Sequence, residues 1–333
     1  MAERFEGIEL GLSAAQFGVG EVVDAVAQAE ALGFRRVWIA ERYLAAGAFV
    51  QCAAALARTS RVGVGTGIVS PYTRPNAVTT MEAAALDALS GGRFILGLGV
   101  ATSVREAMGA TSKPLPFLRD SVQEIRALLS GGEGAAGRIS VPVRPGTVPL
   151  FVGTMGARTL EMAGGLADGV LLSYFTTPAF LADALHCVEA GLETAGRAPG
   201  EVELSSYIPL ALERDLKRGG RFARQMIAPR LASPLAIVPK VFRMAGIADA
   251  EVGEVRVRVQ AAYARGDAEG ALAAVPDAWC GKLTVVGPPD ACAERLLEFA
   301  RGGLKYPALY MMPGTDLAGM LKEIKEEIFP RLL

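Results

Sequence analysis

Short apolar runs alternate with amphipathic stretches that stop at glycine along almost the whole chain, and this alternation leaves few folds open. Gly7–Ser13 reads as a strand, and Val19, Val22, Val23, Val26, Ala29 and Leu32 then recur at helical spacing until Gly33 stops them. The cycle continues with strands at Arg36–Ala40, Val62–Val69 and Arg93–Gly99, and with helices near Gly47–Thr59, Asn76–Leu89 and Phe117–Leu129. Strands at Pro149–Gly153, Gly169–Leu172 and Glu201–Leu212 alternate with helices near Ala157–Ala167 and Ala179–Ala195, and Tyr306–Met312 precedes the amphipathic Leu317–Phe329. Strand, crossover and strand in this order require parallel pairing. Eight such strands predict a closed (β/α)8 TIM barrel, since an open doubly wound sheet would need fewer strands or a clear reversal of order. The expectation is one domain over 1–333. The interval between strands 7 and 8 is too long for one crossover, so 215–287 is expected to be a helical insertion that includes Ala248–Arg265 and Asp267–Ala274. Gly131–Gly137 and Arg144–Val148 read as turn-rich connections within the barrel, because strands continue on both sides of them.

Composition removes several functions. The chain has 333 residues, 51% of them hydrophobic, enough for a large core. Thirty-four Lys and Arg against thirty-five Asp and Glu leave a net charge of -1, so no basic field favours nucleic acid. No apolar run approaches the roughly 20 residues that span a bilayer, and Met1–Gly7 is charged where a secretory signal would be greasy. A cytoplasmic protein is expected. Four cysteines without Cys-x-x-Cys spacing read as buried small hydrophobes, and the single histidine, His186, excludes a multi-histidine metal site. No metal is expected.

In a barrel of this kind functional groups gather at the C-terminal ends of strands, and four segments stand out. In Ile8–Ser13 the apolar residues alternate with Glu9, Gly11 and Ser13, which turns Glu9 inward. A desolvated carboxyl there would hold its proton and suit general-acid work; a salt bridge to a barrel arginine, or a solvent-facing strand end, is the structural alternative. Gly63–Pro75 is a strand with glycine at 63, 65 and 67, consistent with close approach of a flat ligand or a bulge, and equally with tight packing. Gly97-Leu98-Gly99 lacks the next glycine and the acidic strand end of a dinucleotide fingerprint, and Gly281-Lys282-Leu283 is not a P-loop. Gly153–Arg158 runs from strand through glycine into a helix whose N–H groups suit a phosphate, although such junctions are also ordinary punctuation.

Together these segments resemble the bacterial luciferase-like superfamily, and within it the coenzyme F420-dependent methylenetetrahydromethanopterin reductases. The resemblance covers nearly the whole chain and is most specific in Gly65–Arg74, Ala83–Arg93, Gly153–Gly169 and Val285–Asp290, with Glu9 matching as well. It implies a barrel of the luciferase-like type and an oxidoreductase that passes hydride from reduced F420 to a methylene-tetrahydropterin, with Glu9 as catalytic acid. It places a non-prolyl cis peptide at Gly67–Ile68, backing the deazaflavin ring. Cofactor contacts would come from Gly67, Ile68, Val69 and Ser70, from Gly99, Val100 and Ala101, and at the phosphate end from Gly153, Thr154, Met155, Gly156, Ala157 and Arg158. Glu41, Tyr72, Thr73 and Arg74 would line the substrate side. The chain departs from the reductases at Glu41-Arg42-Tyr43, where they have Asp-His, in the shortened loop Val100–Ser103, and at Thr154-Met155 in place of Ala-Gln. An FMN-dependent monooxygenase of luciferase type is therefore the alternative, and a non-catalytic cofactor-binding barrel a third reading. The family also implies a homodimer or homotetramer, with which the alanine-rich helix Ala77–Leu89 is compatible.

Overall fold

The structure is a computed structural model that describes residues 4–142, 146–233 and 237–333. Residues 1–3 of the charged N-terminal segment and residues 144 and 145 of the Arg144–Val148 connection lie outside them. The chain forms two compact units.

The first unit comprises Ile8–Leu172 and Ala184–Ser205. Its elements follow in the order β1 (Glu9–Ser13), α1 (Ala14–Phe17), α2 (Val19–Leu32), β2 (Arg36–Ala40), α3 (Ala48–Ala57), β3 (Gly63–Thr66), α4 (Asn76–Ser90), β4 (Phe94–Leu98), α5 (Thr102–Ala107), α6 (Pro114–Leu129), β5 (Leu150–Gly153), α7 (Ala157–Leu166) and β6 (Gly169–Leu172). Strands β1 to β6 are parallel neighbours in chain order. α8 (Pro178–Thr194) leads to β7 (Glu203–Leu212), whose first residue donates its N–H to the Asp168 carbonyl at 3.0 Å. Helix α2 ends as its sequence predicts: Gly33 takes a left-handed conformation, φ +87°, and its N–H closes the last turn on Glu30 O.

Two differences from the expected elements have local causes. β3 stops at Thr66 because the chain turns at Gly67–Ile68 and rejoins β4 through a single bridge from Val69 to Leu98. α5, absent from the expected elements, starts just after Ala101, a non-glycine residue at φ +49°.

The second unit comprises the chain up to Gly7, Ser173–Asp183 and Ser206–Leu333. Its helices α9 (Leu216–Ala232), α10 (Ile237–Met244), α11 (Asp249–Ala264), α12 (Ala268–Ala273) and α13 (Asp277–Leu283) fill the interval expected to be an insertion. Asp215 caps α9 by accepting from the Lys217 and Arg218 N–H groups. The insertion closes on a strand too short to have been expected, β8 (Val285–Gly287), which pairs parallel with Leu210–Leu212 of β7. α14 (Pro289–Arg301) and β9 (Tyr306–Met311) follow, β9 lying on the other side of β7. The expected final helix is interrupted: α15 (Leu317–Glu323) passes through a π-helical turn at Ile324–Ile328 into α16 (Phe329–Leu332). Pro330 has no N–H with which to continue the α-helical pattern. The four cysteines are all buried, and burial with the nearby Glu323 charge pushes the Cys292 thiol up to about 12. Among the described residues no helix is long and apolar enough to cross a membrane.

Candidate functional site

Register fixes which side chains share the inner face of the first unit. Glu9, Arg36 and Gly63 form one row, Gly11, Trp38 and Gly65 the row two residues on, and Ser13 pairs with Ala40 above them. Side chains alternate along a strand, so Glu9, Gly11 and Ser13 point to the same side. The inward Glu9 expected from the sequence is therefore present, with Leu10 and Leu12 buried on the other face.

The lower rows are filled with charge and aromatic surface. Glu9 is fully buried; its Oε1 meets Arg35 Nη1 at 2.9 Å and Arg36 Nη1 at 3.3 Å, and its Oε2 accepts from the Trp38 indole N–H at 2.6 Å. Glu203, at the start of β7, accepts from Arg35 at 2.8 and 2.7 Å and from Arg36 at 2.7 Å. Burial pushes the Glu9 carboxyl above the ordinary range, with Arg36, the Trp38 N–H and Arg35 pulling against it. Burial also acts on Glu203, but the Arg35 hydrogen bonds and the Arg36 charge prevail and hold it below that range. The Arg36 guanidinium lies 5.1 Å from the Trp38 ring centroid and 4.8 Å from that of Phe151. Two glycines make room for these rings: a Cβ on Gly65 would fall 2.8 Å from Trp38, and one on Gly169 2.2 Å from Phe151. At Gly65 the glycine thus serves side-chain packing, one of the alternatives open in the sequence. Arg35, Arg36, Trp38 and Glu203 were not among the expected site residues; the Arg-Arg pair at the start of an apolar strand was their signal.

The upper rows are different. The Gly67–Ile68 peptide is cis, as the resemblance implies. The Ile68 side chain turns onto Gly99 and Gly153: a Cβ on Gly99 would stand 3.2 Å from it and on Gly153 2.5 Å, whereas a Cβ on Gly97 would run first into the Thr66 carbonyl oxygen. Val69 N–H donates to Gly97 O at 2.9 Å, Gly99 N–H to Val69 O at 3.0 Å, and the Ser70 hydroxyl to Val100 O at 3.0 Å. The segments Gly67–Ser70 and Gly99–Ala101 are thus brought together into a shelf, with Ile68 seated against Gly99 and Gly153. Beyond Gly153, Thr154 Oγ1 accepts from Gly156 N–H at 3.1 Å, Met155 is buried and Arg158 is exposed. Ala157 and Arg158 open α7, where backbone N–H groups have no partner within the helix and favour an anion.

The expected substrate residues divide into two pairs. Glu41 and Arg74 bind each other at 2.7 and 2.9 Å, Glu41 also accepts from Ala48 N–H at 3.0 Å, and Glu82 approaches Arg74 at 3.5 Å. Tyr72 stacks on Phe117 with centroids 4.5 Å apart and its hydroxyl meets Ser112, while Thr73 donates to Ser70 O at 2.9 Å. These contacts fasten the loop after β3 beside the shelf.

A family model described as luciferase-like monooxygenase matches residues 6–306. The 5,10-methylenetetrahydromethanopterin reductase of Methanolobus tindarius is 30% identical over 311 residues, which cover 90% of this chain and 93% of that protein. An F420-dependent glucose-6-phosphate dehydrogenase of Nakamurella multipartita is 26% identical over 344 residues, covering 96% and 94%. The solved coenzyme F420-dependent tetrahydromethanopterin reductase from Methanopyrus kandleri superposes with a TM-score of 0.84 at 22% identity, covering 100% of both chains. The chain therefore has the (β/α)8 barrel fold of the luciferase-like type that the sequence predicts.

Proposed function

The chain belongs to the luciferase-like monooxygenase family, and from that premise we propose that it is an F420-dependent oxidoreductase acting on a methylene-tetrahydropterin. Relatives that match it along nearly their whole length are F420-dependent enzymes or a methylenetetrahydromethanopterin reductase. The observation that carries the reading is the shelf that Gly67–Ser70 forms beside Gly99–Ala101, with Ile68 seated against Gly99 and Gly153. A flat tricyclic ring fits such a surface, and the first turn of α7 fits the phosphate of the same molecule.

Reduced F420, when bound, supplies a hydride. The protein supplies position: Gly67–Ser70 backs the ring, the N–H groups of Ala157 and Arg158 hold its anionic end, and the Glu41–Arg74 pair with Tyr72 and Thr73 fixes the wall beside it. Proton delivery by Glu9 is the finer part of the proposal. Its burial and raised proton affinity favour the role. Against it, Gly67 lies four residues beyond Gly63, the row of Glu9, which is about 13 Å along the strand.

The test is to titrate the apoprotein with F420 and with FMN, then to assay the reduced complex on methylene-tetrahydromethanopterin and on glucose 6-phosphate. Tighter binding of F420 and turnover of the pterin are expected. A preference for FMN with oxygen consumption would replace the proposal with a flavin monooxygenase. In the same assay Glu9→Gln decides the acid: turnover lost with F420 affinity intact assigns the proton to Glu9, and turnover retained leaves its carboxyl as a tie among β1, β2 and β7.

A further inference from the structure

Two serines on the inner face of the first unit are buried without a hydrogen-bond partner among the described residues. Ser13, at the end of β1, is 1% exposed and Ser205, on β7, is fully buried; neither hydroxyl has a hydrogen-bond partner among the described residues. Ser13 stands at the N-cap of α1, where a serine ordinarily accepts from a first-turn N–H, yet its side chain makes no such bond. Ser13 follows Glu9 by four residues and Ser205 follows Glu203 by two, so strand alternation turns both to the side on which Glu9 and Glu203 share Arg35 and Arg36. Ser13 pairs with Ala40, and Gly67 N–H donates to Ile39 O at 2.8 Å, which brings Ser13 into the row of the first shelf residue.

An unpaired buried hydroxyl destabilises the chain that contains it. The two lie in rows of the shelf, Ser13 with Gly67 and Ser205, through Leu171, with Gly153, where a bound ligand would supply the partner each hydroxyl lacks. We propose that Ser13 and Ser205 are hydrogen-bonding positions for the polar edge of the flat heterocycle on the shelf, the edge that carries alternating carbonyl and N–H groups. The inference rests on the tricyclic-cofactor reading above. F420 and FMN share that edge, so both serve as probes.

The experiment compares wild type, Ser13→Ala and Ser205→Ala in two measurements: the melting temperature of the apoprotein, and the Kd for F420 and for FMN by fluorescence titration. Each variant is expected to melt at or above the wild-type temperature while binding about fivefold or more weakly, the equivalent of one net hydrogen bond. A Kd within twofold of wild type for either variant overturns the proposal. So does a lower apoprotein melting temperature, which would mean that the hydroxyl has a structural partner. If wild type binds FMN and not F420, the F420 reading falls while the serines are judged on FMN. If it binds neither, both fall.

Discussion

The two ends of the strands in the first unit solve opposite problems. At the lower end every charged group is engaged: Glu9, Glu203, Arg35 and Arg36 neutralise one another, and Trp38 and Phe151 close over Arg36. At the upper end Gly99 and Gly153 make room for Ile68, and the Ser13 hydroxyl is buried without a partner among the described residues. The first arrangement holds strands together; the second is where the proposed ligand would sit. This division matches the general habit of barrels, in which one end carries stability and the other chemistry. The largest effect that could break the comparison is Arg36→Met. Removing this guanidinium leaves the half-buried Glu203 with Arg35 as its remaining cation and the buried Glu9 with Arg35 and the Trp38 N–H, and a loss of about 3–5 kcal/mol is expected in denaturant unfolding. Stability equal to wild type would show that the lower end is not the tie described here.

A matched pair of glycine substitutions sharpens the contrast. Gly65→Ala places a Cβ 2.8 Å from the Trp38 ring, and Gly153→Ala places one 2.5 Å from Ile68. Both overfill the inner face and are expected to cost about 1–3 kcal/mol. Only the second displaces the shelf, so only Gly153→Ala should also weaken F420 binding, by about tenfold or more. Equal effects of the two on affinity, read by titration at a temperature where both are folded, would erase the distinction between packing glycine and shelf glycine.

Much of this was legible in residue order, for physical reasons that differ by region. The barrel could be read because helical periodicity and glycine stops are local: Val19–Leu32 ending at Gly33 needs no knowledge of the rest of the chain. The inward face of Glu9 followed from alternation alone. Its partners could not, because Arg35, Arg36 and Glu203 lie 26, 27 and 194 positions away and meet it only through strand register. The glycines at 63, 65 and 67 looked alike in sequence, yet Gly65 accommodates an indole while Gly67 opens the cis peptide to Ile68. β8 escaped notice because three residues carry no period, and the interruption at Ile324–Ile328 because its cause, Pro330, comes after it.

The smallest expected effect is on pH dependence, and it belongs to the lower end. The Glu203 carboxyl is held below its ordinary range in the folded chain, so the stability it contributes is complete above the unfolded value of about 4.3 and is lost as pH falls through its lowered folded value. Glu9 runs the other way. Its raised carboxyl makes the folded chain bind a proton more readily, so it withdraws stability as pH rises from about 4.3 towards its own value. Glu203, the most buried of the lowered carboxyls, contributes to the acid limb of the stability curve together with Glu30, which accepts from the Ser60, Arg61 and Val62 N–H groups, and with Glu201 and Glu269, which are likewise lowered. Melting curves from pH 7 down to about pH 3 should therefore show a fall in the wild type that flattens in Glu203→Gln. The same substitution keeps the side chain's size and its hydrogen-bonding oxygen, so F420 affinity at neutral pH is expected to stay within twofold of wild type. An unchanged acid limb in Glu203→Gln would move the proton-sensitive group away from the Arg35–Arg36 cluster, and a lost affinity would show that the two ends do not act separately.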